Sequence, residues 1–164
     1  MATAQAKNGP AAVDPKPFAE SIAYLLRESF EGAPEGLPNV YLDRGVGFFD
    51  TLAGVPASAA SKEFHGTTIA AQTEHAKFYL DRLCEFMSGR NGKVNWEDSW
   101  LIETVTDTEW DALRESVKAA YKNTLSRIAS VEEWNERTLG MAVGMVAHTA
   151  YHLGAIRQIA KITE

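Results

Sequence analysis

This sequence predicts an all-α fold, a four-helix bundle with long connections and short extra helices. Three observations carry the prediction. Four long segments repeat apolar residues at the three- and four-residue spacing of a helix face, and none shows the two-residue alternation of a half-buried strand. Proline, glycine or a capping pair marks most of the segment ends. Four amphipathic helices in 164 residues bury their apolar faces best against one another, around one core.

The first 14 residues, rich in Ala, Gly and Pro, read as a flexible N-terminal tail, and residues 15–164 as a single domain. The first helix is expected from about Pro15 to Glu31, with Phe18, Ile22, Leu25, Leu26 and Phe30 on one face. Pro15 and Pro17 suit its start, and Gly32 with Pro34 stops it. A short helix is expected over Gly45 to Ala53, followed by a connector of small residues. The second long helix runs from Thr67 to Met87, through Ile69, Ala76, Leu80 and Leu83, and ends at a segment holding Gly89 and Gly92. A linking region, Lys93 to Thr106, holds Trp96 and Trp100 and is expected to be packed, with core packing the favoured role of both rings. Thr106 and Glu109 form a capping box ahead of a third helix over Asp107 to Ala129. A turn around Trp134 leads to the last helix, Thr138 to Ile162, where Leu139, Val143, Val146, Ala150, Leu153, Ile156 and Ile159 are spaced for burial.

Bulk properties narrow the function classes. The chain is 45% hydrophobic and 23% charged, with a net charge of −6. With a pI near 5.3 and no Lys/Arg cluster, it lacks the basic footprint of a nucleic-acid or anionic-membrane surface. One cysteine, Cys84, cannot form an internal disulfide, and its apolar neighbours fit a buried thiol. No uninterrupted apolar run of about 18 residues is present, so no membrane span is expected, and a cytoplasmic location is.

The most informative feature is a histidine pair, His148 and His152, in the last helix. Side chains four residues apart share one helix face, and two imidazoles so presented are half of a transition-metal site. Gly140 and Gly144 continue the same row, and glycine inside a helix costs about 1 kcal/mol relative to alanine, so a close approach by a neighbouring helix is expected there. Thr149 follows His148 where zinc proteases carry their general-base Glu, which excludes that motif. For a third ligand His75, in the middle of a helix, is a better candidate than His65, which falls in a loop before it, since regular elements aim side chains more sharply. The bland alternative is core histidines bonded to backbone or carboxylate.

The run His148-x-x-x-His152-x-x-Gly154-x-Ile156-Arg157, with Thr68 to His75 far upstream, resembles the DinB-like, damage-inducible family of metal-binding four-helix proteins, over nearly the whole chain from Pro17. The resemblance implies a bundle whose second and fourth long helices supply a three-histidine site for zinc or nickel, with ligands His75, His148 and His152. It also implies homodimers, and a connection long enough to make the second and third helices parallel. Some relatives carry a further histidine one turn before the upstream ligand, where this chain has Gln72; it shares a face with His75 and is expected either to orient the ligand or a bound water or to make a plain polar contact.

Three histidines leave coordination positions open, as catalytic metal sites do. A metal-dependent hydrolase or small-thiol transferase acting on a small molecule is therefore the expected function. The alternative is a stress-response or ligand-binding protein that uses the metal structurally. No catalytic residue is assigned; Glu74, Tyr151 and Arg157 are the acid–base candidates beside the motifs, but each is rotated from the ligand face, and a role behind the ligands or at the surface is the expected one.

Overall fold

Local signals set the helix boundaries. A computed structural model describes residues 14–163, so all of the expected tail but Asp14 lies outside the described residues. The helices are α1 (Lys16–Glu31), α2 (Phe48–Ala53), α3 (Ala57–Ala60), α4 (Ile69–Met87), α5 (Asp107–Ala129) and α6 (Glu136–Thr163), with a 3-10 turn at Trp96–Trp100 between α4 and α5. Among the described residues there is no β-strand beyond an isolated bridge between Phe64 and Thr67. The all-α expectation holds. The short helix begins three residues later than expected, at Phe48, and the small-residue connector folds into α3.

Thr68 caps α4 by accepting the Ala71 amide at 3.0 Å, and Thr106 with Glu109 closes the capping box at α5. Gly32 ends α1 at φ +80°, a left-handed value that favours glycine. Gly47 then crosses directly over that end: a Cβ there would lie 2.8 Å from the Phe30 carbonyl oxygen. The fully buried Glu28 carboxylate accepts the amides of Val40, Tyr41 and Leu42 at 2.7–3.1 Å, clasping the following loop to α1.

The four long helices lie side by side, with α4 against α5 and α6, and α1 against the same two. Thr68 Oγ1 donates to the Glu103 carbonyl just before α5, and Cys84 pairs with Thr124 farther along both helices. Helices α4 and α5 therefore run parallel, and the linker returns the chain to make them so. Contacts of Gln72 with His152, and of Tyr79 with the backbone at Gly144, show α4 and α6 to be antiparallel. The core holds Leu26, Phe30, Phe48, Ile69, Leu80, Trp110, Val117, Ile128, Met145 and Ile156. Phe30 meets Phe48, Phe49 and Tyr121 at centroid distances of 4.7–5.4 Å, and Trp110 Nε1 donates to the Val55 carbonyl at 2.7 Å. Cys84 is buried as expected, and burial raises its thiol pKa.

Helix α6 corrects the burial pattern. Leu139 and Val143, expected inside, face outward; Ala142, Met145, Thr149, His152, Ile156 and Ile159 form the inward row. No charged residue lies between Arg137 and Arg157, so the sequence there has no polar face to mark the outside. By length and apolarity alone Glu136–Ile162 could cross a membrane. In this fold it packs against α1 and α4 and brings its histidines to α4.

Candidate metal centre

Helices α4 and α6 bring three imidazoles to one point. His148 Nε2 lies 3.1 Å from His75 Nε2 and 3.2 Å from His152 Nε2. One nitrogen from each of the three rings falls within 4.8 Å of the others. His65 stands apart, in an exposed left-handed turn at φ 49°, edge-on to Phe64.

The outward-facing ring nitrogens decide which protons the rings carry. His152 Nδ1 lies 2.6 Å from Gln72 Oε1, and the Gln72 amide nitrogen donates to Thr67 Oγ1 at 3.0 Å. An amide oxygen can only accept, so with Oε1 turned to the ring His152 donates from Nδ1 and turns a bare lone pair on Nε2 to the centre. His75 Nδ1 lies 2.7 Å from Ser99 Oγ, whose own hydrogen goes to the Trp96 carbonyl at 2.6 Å. The serine can only accept, and His75 too presents a bare Nε2. His148 can supply one hydrogen to one of these two nitrogens. At least one lone pair therefore faces another nitrogen with nothing between them.

A cation removes that conflict. Zinc–imidazole bonds of about 2.0–2.1 Å place tetrahedral ligand nitrogens roughly 3.3 Å apart, close to the separations of His148 Nε2 from the other two rings. The donor set and its spacing fit a divalent transition metal.

Protonation suits ligation as well. Burial drives the His152 pKa down to about 3, with His148 and His75 adding to the shift. Burial and then His75 bring His148 to about 4, and burial also lowers His75. All three rings are neutral at pH 7 and available as ligands.

Aromatic rings fix what hydrogen bonds do not. His148 Nδ1 is buried without a partner, but the Tyr79 ring stacks on His148 at 3.6 Å and 7°. Gly144 admits that ring: a Cβ there would come 3.2 Å from Tyr79 Oη. The expected close approach thus holds at Gly144, to a side chain, and fails at Gly140, where a Cβ would meet nothing within 4 Å. Trp100 stacks on His75 at 3.9 Å and 16° while 41% exposed. Core packing, expected of both linker tryptophans, is overturned; each is two-fifths exposed, and Trp96 lies 5.8 Å from the Tyr79 ring.

Of the flanking polar residues, Gln72 joins the site. Glu74 pairs with Lys77 at 3.5 Å, and burial raises its pKa. Tyr151 is 73% exposed with its ring edge toward His152 at 5.0 Å, and Arg157 is half-buried. Ser99 is the residue that sequence reasoning missed. It sits in an irregular linker, where no periodicity signals which side chain turns inward.

No protein-family model, curated protein or solved structure matches the chain.

Proposed function

We propose that His75, His148 and His152 hold a divalent transition metal, zinc or nickel, and that the chain is a DinB-like four-helix bundle acting as a metal-dependent hydrolase or small-thiol transferase on a small molecule. The observation that carries the reading is the convergence of three neutral imidazoles with two lone pairs already committed to the centre. Such an ion, when bound, supplies Lewis acidity that can acidify water, polarise a carbonyl or stabilise a thiolate.

The chain's own residues prepare that chemistry. Neutral ligands leave the charge of the cation undiminished. Gln72 and Ser99 keep two rings in the tautomer that ligates, and Tyr79 and Trp100 hold two rings by stacking. His152, 3% exposed, closes the inner side against water. The outward row of α6, Leu139, Val143, Ala147 and Tyr151, offers an apolar face to the second copy of the chain that the family resemblance implies.

A non-catalytic protein that uses the metal structurally is the second reading.

Metal analysis of protein purified without a histidine tag tests the assignment, with about one ion per chain expected in the wild type and none in His148→Ala. Equal metal in both proteins would refute it. Screening the metal-loaded protein against thiol acceptors and against amide and ester substrates separates the catalytic from the structural reading.

A further inference from the structure

Ser99 is fully buried, the one buried residue of the 3-10 turn, in a linker whose flanks are largely exposed. Its hydroxyl makes two bonds. It donates to the Trp96 carbonyl three residues back, at the start of the turn, and it accepts from His75 Nδ1 on α4. The first bond determines the second, because a hydroxyl whose only hydrogen is spent can act toward the ring solely as an acceptor.

We propose that Ser99 is a positioning residue of the histidine centre, holding the proton of His75 on Nδ1 so that Nε2 points its lone pair at the ion. The proposal rests on the metal reading and adds to it a residue outside the ligand set, drawn from the linker rather than from the helices. A serine that served only to shape the turn needs its bond to Trp96 and nothing more. The contact at 2.7 Å to a ring nitrogen, beneath the stacked Trp100, is what the turn does not require. Without an acceptor at Nδ1, an uncoordinated imidazole reverts to its commoner form, protonated on Nε2. That proton must then be displaced before the nitrogen can ligate.

Two measurements test this. The imidazole nitrogen-15 spectrum of metal-free wild type is expected to show His75 protonated on Nδ1, and that of Ser99→Ala to show the proton on Nε2. Competition with a chromophoric chelator is expected to give zinc affinity about 10- to 100-fold lower in Ser99→Ala, the usual effect of losing an outer hydrogen-bond partner. A wild-type His75 protonated on Nε2 overturns the proposal, and this measurement needs no variant to fold. Zinc affinity within twofold of wild type in Ser99→Ala overturns it too. So does weaker binding with the proton still on Nδ1, since loosening of the turn would then be the cause. Wild type that binds no zinc overturns both this proposal and the metal reading, whereas zinc-binding wild type with an indifferent Ser99→Ala removes the role of Ser99 alone.

Discussion

Gln72 Oε1 on α4 accepts the Nδ1 hydrogen of His152 on α6 at 2.6 Å, in a setting where both residues are buried. Breaking this bond while keeping the side-chain volume, as in Gln72→Leu, leaves His152 without its acceptor. Zinc affinity in that variant is expected to fall by about tenfold or more, with helix content unchanged. Chelator competition and far-ultraviolet circular dichroism check the two parts. Wild-type affinity in Gln72→Leu would show the bond to be incidental.

Acid should destabilise the metal-free protein through its histidines. Burial holds His152 at about 3 and His148 at about 4, against about 6.5 in an unfolded chain. Below about pH 6.5 the unfolded chain takes up protons that the folded one refuses. This contribution to stability is therefore complete above that pH and is lost as pH falls toward the folded values. Urea midpoints of metal-free protein should drop between pH 7 and 4, at a slope of at most about 1.4 kcal/mol per pH unit for each histidine, less for the more exposed His148. The drop should shrink in His152→Gln. An equal slope in that variant would remove His152 as a source of the acid sensitivity.

The glycines should respond in opposite directions. Gly140→Ala meets no atom within 4 Å and is expected to stabilise α6 by about 0.5–1 kcal/mol, through the lower conformational entropy of alanine in the unfolded chain. Gly47→Ala drives a methyl into the backbone at the end of α1 and is expected to cost about 1–3 kcal/mol. Thermal denaturation of the pair decides it, and a stabilised Gly47→Ala would contradict the packing of that loop.

Glu28 gathers the backbone amides of the loop at residues 40–42, which Ser29 also holds through Tyr41 Oη. Glu28→Ala leaves three amides without their acceptor and is expected to cost about 2–4 kcal/mol, since hydrogen bonds to a buried charge are among the stronger ones. Glu28→Gln keeps one oxygen and should lose less. Urea denaturation of both variants gives the comparison, and a loss under about 0.5 kcal/mol in Glu28→Ala would mean that water replaces the carboxylate.

Much of this was legible in the sequence where local rules act alone. The capping box at Thr106 and Glu109 fixed the start of α5 to the residue, and the helix-face spacing placed His148 beside His152. Pairing these with His75 over His65 rested on the regularity of helices, and the three rings do converge. The inward face of α6 was not legible, because a stretch apolar on all sides carries no contrast between core and solvent. Glu28 and Ser99 escaped for a related reason: each is a polar residue buried by partners far away in sequence, and only the tertiary fold shows what satisfies it.

Four positions separate His148 from His152, but 73 separate His148 from His75. A denatured chain can therefore offer an ion little more than a two-ring chelate on one short stretch, and the third ring joins only once α4 and α6 have docked. If the three rings hold an ion, its preference for the native state would reside in His75. At zinc about a hundredfold above the dissociation constant, wild type should gain about 2.7 kcal/mol in stability, while His75→Ala, still able to grip the ion through its neighbouring pair, should gain far less. Residue 75 thus decides whether a captured ion welds two distant helices together or merely decorates the last one.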